Sequence, residues 1–387
     1  MRRTERLSPC GSFHAILDTI THKGFHMELT QPKKEKTLYF EVLRIMAVFA
    51  VIFIHTGDFG YSLFAQRPFG SLDFWIDLVL SLCSRFCVAA FFAISGALLL
   101  PKNEPLKAVW KRVARMVVVL LVVSLLYWFE YLAQNGGKFS FITFLHKSYY
   151  DQTRYHLWFV YSYIAFLITL PFLRALAQNL ETKYFYYLIG LQVLFVGIIP
   201  VLDYKTTIYE FPLNPEAIPS WMFAQIFFYP LTGYFLHNRL SIEQAKKWVL
   251  PLWAANIVSL AAAAYMTWFQ RRMIGFANDD PTPNFHFVFI SVNCITLFVT
   301  ARVLFRNDKV PSWLKTILFQ VGESVFGIYL IHMYFLRLPW VEKIINTILA
   351  TGCDRMVAVN IWVLCILLIS LVPAWILKKI PVIRNFL

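Results

Sequence analysis

The chain has 387 residues, of which 58% are hydrophobic and 18% aromatic, and its mean hydropathy of +0.57 is too high for a soluble globular protein, in which about half the residues are apolar. A net charge of +14 would suit a nucleic acid only if it formed one patch; here it divides among loops between apolar runs, so no nucleic-acid partner is predicted. The six cysteines, Cys10, Cys83, Cys87, Cys294, Cys353 and Cys365, lack metal-ligand spacing, and neither a disulfide framework nor a metal site is predicted.

Residues 1–37 are polar and basic and lack the apolar core of a signal peptide, which predicts a disordered cytoplasmic tail and leaves insertion to the first membrane span. A second methionine, Met27, makes 1–26 a dispensable stretch in this reading. Apolar runs long enough to cross a bilayer, about 20 residues each, follow at 38–57, 78–100, 113–133, 155–176, 183–203, 220–239, 247–269, 285–305, 316–338 and 356–377. The fold class predicted is all-α, a polytopic integral membrane bundle of about ten transmembrane helices over 38–380, with 381–387 as a second tail.

From Glu28 onward, twenty Lys and Arg residues fall on one side of this arrangement and ten on the other. The excess places both termini in the cytoplasm. The longest loops, 134–154, 203–219 and 270–284, then face outward and carry aromatic and turn residues such as Tyr149, Tyr150, Tyr204, Tyr209, Pro212 and Asp279. They are candidates to cover an outer cavity. No repeat or inverted symmetry of the transporter type is visible.

The first run, LYFEVLRIMAVFAVIFIHTG, holds the most informative pair of residues, Arg44 and His55. Eleven helical steps return to within about 20° of the starting direction, so both share one face, about 16 Å apart along the axis. Ionisable groups inside a membrane segment face the protein interior and mark a functional site by default. Asp58 would orient the His55 imidazole if the helix reached that far.

Further along, Arg85 lies near the middle of the second run, and Arg112 and Arg115 in KRVAR share a helix face at the cytoplasmic end. Arginine offers a fixed fork of donors that suits a phosphate-bearing ligand. His156 opens YHLWFVYSY, where continuous helix would bring Tyr163 onto its face and turn Trp158 away. His332 closes GESVFGIYLIH, in which Glu323 is expected to pair with a cytoplasmic-side arginine. His55, His156 and His332 all fall in outer halves of spans, which predicts a shared cavity, and a histidine there can take a proton from a hydroxyl at neutral pH. The phosphate loop GxxxxGK[ST], HExxH and GxSxG are all absent, which disfavours nucleotide hydrolysis and zinc peptidase chemistry.

LRIMAVFAVIFIH, SRFCVAAFFAISGALLL, KRVAR, YHLWFVYSYIAFLITLPFL, YPLTGYFL and ESVFGIYLIH, in this order, resemble the membrane-bound acyltransferase 3 family. Within it the chain is most similar to surface-polysaccharide O-acetyltransferases of the enterobacterial common antigen type, with Ala90 standing where that subgroup leads one to expect proline. The resemblance implies a multi-pass enzyme of the bacterial cytoplasmic membrane that uses acetyl-CoA as co-substrate, with no tightly bound cofactor, and acts on a sugar or lipid-linked polysaccharide hydroxyl. It implies Arg44 and His55 as the essential pair and Arg112 and Arg115 as further functional candidates, with acyl-CoA expected to be held through its phosphates by Arg112, Arg115 and Arg44. His156, Trp158, His332, Arg85 and Glu323 are then candidates for acceptor binding or accessory roles. Two mechanisms stay open, His55 as general base and His55 as a transient acyl carrier. A different class, an exporter of lipid-linked sugar with a buried Arg and His path, is the alternative.

Overall fold

Every predicted apolar run overlaps a helix in the computed structural model, which describes residues 36–202, 222, 224–274 and 287–380. The helices are α1 (Leu38–Ile54), α2 (Leu72–Ser84), α3 (Cys87–Leu99), α4 (Leu106–Asn135), α5 (Phe141–Tyr150), α6 (Trp158–Asn179), α7 (Thr182–Gln192), α8 (Gln225–Tyr234), α9 (Ile242–Ile274), α10 (Phe287–Leu304), α11 (Ser312–Leu336), α12 (Pro339–Ala350) and α13 (Arg355–Lys379). No strand occurs among the described residues. Among the described residues seven helical stretches, with α2 and α3 taken together, are long and apolar enough to cross a membrane; α1, α8 and α10 are shorter. The protein is an all-α polytopic membrane protein, as a backbone that must satisfy its own hydrogen bonds in lipid requires.

Helix α1 is the central element and packs against α3, α10, α11 and α13. Its Leu38, Phe40, Leu43, Ala47, Val48 and Ile52 are almost wholly buried. Small residues allow the closest crossings. A methyl group built on Gly96 of α3 would strike the backbone of Pro230 in α8, and one on Gly233 of α8 would strike that of Ala93. In membranes such close backbone approach supplies van der Waals packing where burial from lipid gives little driving force.

Side-chain bonds identify two ends of the bundle. At the basic end, the Leu38 amide donates to Asn307 Oδ1 (2.9 Å), Gln178 to the Leu100 carbonyl (2.8 Å) and Arg239 to the Gln178 carbonyl (3.0 Å). At the other, the histidine end, Arg355 bonds Gln66 (3.0 Å), and Arg67 bonds Asp77 (2.7 Å) with Asp354 3.5 Å away.

Three local expectations are corrected. The run 78–100 is two helices, broken at Arg85 and Phe86. The loop 134–154 contains α5, and α12 fills the stretch between the last two predicted spans. Helix α12 is amphipathic, burying Val341 and Ile345 while exposing Trp340, and at 12 residues it is too short to register as a span. The tail before residue 36, Cys10, residues 381–387, the loop 203–219 and positions 275–284 lie outside the described residues.

Candidate active site

Helix α1 ends at Ile54, and His55 is its C-cap, with the His55 amide bonded to the carbonyls of Ile52 (3.1 Å) and Val51 (3.3 Å). Thr56 then locks the exit: its hydroxyl donates to the Phe53 carbonyl (2.7 Å) and accepts from the Tyr61 amide (3.1 Å). These bonds satisfy backbone groups that a helix end leaves open and fix His55 at the rim of the packed core. Because the helix stops here, Asp58 does not orient the imidazole. Asp58 sits in a separate exposed turn.

The orienting partner is His332, whose Nε2 lies 3.0 Å from His55 Nδ1. His332 Nδ1 lies 2.7 Å from the Tyr329 carbonyl one turn back on α11. A carbonyl only accepts, so His332 Nδ1 carries the proton; a neutral His332 then offers a lone pair at Nε2, and His55 must donate to it from Nδ1. That assignment leaves the lone pair of His55 on Nε2, the atom without a protein partner among the described residues. His332 is fully buried and His55 half-buried.

His156 completes the cluster. Its ring centroid is 5.3 Å from that of His332 and 6.2 Å from that of His55. Rather than opening a helix, His156 lies in a 3-10 turn, Tyr155–Leu157, before α6. The turn separates it from Tyr163, which packs among Phe92, Phe159 and Phe166. Tyr329 donates its hydroxyl to the His156 carbonyl, and Tyr127 donates to the Leu330 carbonyl (2.9 Å), tying α4, the turn and α11 together. His156 is 1% exposed, and neither of its ring nitrogens has a hydrogen-bond partner among the described residues. A buried polar group in that state costs about 1–3 kcal/mol, which favours a ligand-facing role over a packing one. The three imidazoles do not form a metal cage: no group of three or more His, Cys, Asp or Glu among the described residues is disposed to hold a metal ion.

Tyr155 walls the cluster, its ring centroid 5.2 Å from that of His55. Arg154 lies over the Tyr127 ring at 5.5 Å and pairs with Glu130 at 3.0 Å. The sequence signal for that pair was Glu130 itself, an acid near the end of an apolar run. Trp158, in contrast, packs on Phe159 at the core edge, and Arg85 lies over the Tyr61 ring at 5.1 Å, at the α2–α3 break.

The remaining predicted residues lie toward the basic end. Arg44 is bonded to Glu41 at 2.5 Å, with the arginine side chain 27% exposed and the glutamate 7%. Gly322 of α11 leaves the space that the Glu41 side chain occupies. Glu323 pairs with Lys378 of α13, because α13 lies beside this stretch of α11. Arg112 is bonded to Glu104 at 2.6 Å, and the same carboxylate receives Arg174 at 2.9 Å. Arg115 is exposed. Burial alone would push the Glu104 carboxyl up, but hydrogen bonds from Arg174 and Arg112 outweigh it and hold the group below the usual carboxylate range. Sequence reasoning missed Arg174 and Glu104, the first because it looked like a loop charge, the second because it lies outside every apolar run.

A family model for an acyltransferase domain, acyltransferase 3, matches residues 37–379, from the residue before α1 to the last residue of α13. The chain belongs to the acyltransferase 3 family. No curated protein and no solved structure matches it. The molecule is thus a multi-pass membrane acyltransferase.

Proposed function

We propose that this acyltransferase moves an acetyl group from acetyl-CoA to a hydroxyl of a cell-surface or lipid-linked sugar, with both termini cytoplasmic, in a bacterial cytoplasmic membrane. The observation that carries the reading is the His55–His332 pair, which presents a bare imidazole nitrogen at the rim of the core. The acceptor oxygen attacks the thioester carbonyl carbon as its proton passes to His55 Nε2. The tetrahedral intermediate then expels the thiolate, the C–S bond breaks, and the proton returns from His55 to sulfur, leaving an O-acetyl ester and free CoA. General base catalysis of this kind contributes about 10²–10⁴-fold. His332 holds the working tautomer and shares the positive charge while His55 is doubly protonated.

Acetyl-CoA enters from the basic end in this reading. Arg44 and Arg112 are held by single carboxylates, which a phosphate can replace as the partner of the same guanidinium forks. Arg44 and His55 are separated by about 16 Å along α1, a spacing suited to an extended pantetheine arm between phosphates and thioester. His156, Tyr155 and His332 are suited to receive the acceptor. Membership of an acyltransferase family supports group transfer over export of the sugar.

The test is transfer of radiolabel from acetyl-CoA into glycolipid and polysaccharide by membranes carrying wild-type protein or His55→Ala at matched levels. Incorporation that the variant loses supports the reading. Export of sugar without CoA release, abolished in the same variant, would replace it.

A further inference from the structure

Outside the histidine cluster, helix α5 carries an apolar surface that the described residues leave uncovered. Phe144 and Ser148 are its buried residues, whereas Phe141, Ile142, Leu145 and Tyr149 are exposed, Ile142 at 80% and Tyr149 at 90%. At 3.6 residues per turn those four exposed residues fall within about 100° of one another. Thr143 and Lys147 lie on the opposite side, where Lys147 pairs with Asp151 at 3.4 Å, and the two buried residues lie about a quarter-turn from each side. The helix therefore sets one flank on the bundle, with an apolar face to one side of it and a polar face to the other, the division found in helices that lie in a membrane interface. Helix α12, at the same end, contrasts with it: Val341 and Ile345 are buried against the bundle, and Glu342, Lys343, Asn346 and Thr347 are exposed.

Two contacts set the height of α5. From Met116, just past the basic KRVAR stretch, to its end at Asn135, α4 rises about 30 Å, the thickness of a bilayer's hydrocarbon core. Gly136 and Gly137, at φ +72 and +131, then turn the chain back through backbone conformations that glycine adopts without strain. Phe139 stacks on Phe129 of α4, with ring centroids 5.2 Å apart, and Phe129 lies six residues before Asn135, about 9 Å back along the axis. Near the other end of α5, Tyr161 in the first turn of α6 donates its hydroxyl to the Ser148 carbonyl (2.6 Å). Helix α5 is thus held beside the terminal turns of two spans, at the depth where hydrocarbon gives way to headgroups. Through Phe139 its apolar face also continues an exposed stripe of α4 formed by Val118, Val122, Leu126 and Phe129, the side that a span turns to lipid.

We propose that α5 is an interfacial helix seated in the bilayer leaflet at the histidine end, with Phe141, Ile142, Leu145 and Tyr149 immersed in lipid and Thr143 and Lys147 turned to water. Lipid is the occupant that fits the depth, the continuity with the α4 stripe and the polar face opposite. Contact with a second copy of the chain would account for the apolar face but not for its height. Beyond α5 the chain runs directly into Tyr155 and His156, and the Arg154–Glu130 pair clamps this stretch to α4. The lipid seat thereby fixes one wall of the histidine cluster at the height of the membrane surface, whatever the acyl donor and acceptor are.

Spin-label depth measurements on the full-length protein in phosphatidylcholine nanodiscs test this. A nitroxide carried on p-acetylphenylalanine replaces Ile142, Thr143, Lys147 or Tyr149 in turn, which leaves the native cysteines in place. All four side chains are exposed, so the labelled proteins should keep the wild-type Tm. Relaxation by oxygen, which concentrates in hydrocarbon, is compared with relaxation by a nickel chelate, which stays in water, and lipid-borne nitroxides calibrate the depth. Labels at Ile142 and Tyr149 are expected about 5–10 Å below the phosphates, and labels at Thr143 and Lys147 at the phosphates or outside them. Full access of the nickel chelate to all four positions would overturn the seat by placing α5 in water. Protection of Ile142 and Tyr149 from both reagents would overturn it in favour of a protein partner such as a second copy. Because no acyl donor or acceptor is present, these results are independent of whether the radiolabel assay finds acetyl transfer.

Discussion

His332 Nε2 stands 3.0 Å from His55 Nδ1 across 277 residues of sequence, and the Tyr329 carbonyl behind it dictates which nitrogen of each ring holds a proton. In the proposed mechanism the pair works as one unit, with one ring reacting and the other setting its tautomer. Losing either should therefore cost about as much as losing both.

His55→Ala and His332→Ala are each expected to lower kcat by roughly 10²–10⁴-fold with little change in the KM for acetyl-CoA. The double variant should be no slower than the worse single one, since groups that act as a unit are strongly non-additive. Steady-state kinetics on the four proteins decide the matter. Additive losses would mean that His332 acts independently of His55.

Arg44 gives a different signature. Its guanidinium is bonded to Glu41 yet remains partly exposed, so it is placed to exchange a carboxylate for a phosphate. Arg44→Lys keeps the charge but removes the fork, and should raise the KM for acetyl-CoA about tenfold while changing kcat far less. Glu41→Gln, which frees the guanidinium, should lower that KM or leave it unchanged. A kcat loss in Arg44→Lys equal to that of His55→Ala would instead place Arg44 at the reacting atoms.

The Arg44 and His55 spacing was legible because a helical period is local information, and the apolar runs were legible because a bilayer imposes their length. The partner of His55 was not. Asp58 is the neighbour in sequence, but the helix end at Ile54 turns it away, and α11 delivers His332 from the far end of the chain. The convergence of three histidines followed from their common depth in separate spans. Their tyrosine frame, Tyr127, Tyr155 and Tyr329, comes from three separate segments that no local spacing brings together. Lys378 as a partner of Glu323 was not legible either, since the sequence does not say that α13 lies beside α11.

Glu104 links pH to stability at the basic end. Burial raises its carboxyl, but Arg174 and Arg112 more than compensate and hold it below the ordinary range. A depressed folded-state value means stabilisation that is complete above the unfolded carboxylate pKa and disappears as pH falls through the folded one. At neutral pH, Glu104→Gln should be less stable than wild type by about 1–3 kcal/mol, the worth of a charged hydrogen-bonded contact. The gap should close as pH drops below the ordinary carboxylate range. Thermal unfolding of both proteins in the same detergent across acidic and neutral pH measures it, and a gap that widens toward acid would contradict the ion-pair account.

The crossing of α3 and α8 offers a test of the fold that does not pass through the active site. Gly96 and Gly233 each face the other helix's backbone so closely that an added methyl group would overlap it. Backbone cannot swing aside as a long side chain can, so the helices must separate. Overpacking of this kind costs about 1–3 kcal/mol. Gly96→Ala and Gly233→Ala are each expected to lower Tm, with Gly190→Ala as the control, because a methyl group at Gly190 meets nothing within 4 Å. Together the two crossing variants should cost less than the sum of their separate effects, since one separation of α3 from α8 relieves both clashes. Thermal unfolding of wild type, the two single variants, the double variant and the control reads this directly, and a Tm for Gly96→Ala equal to that of the Gly190→Ala control would show that the helices do not cross in contact.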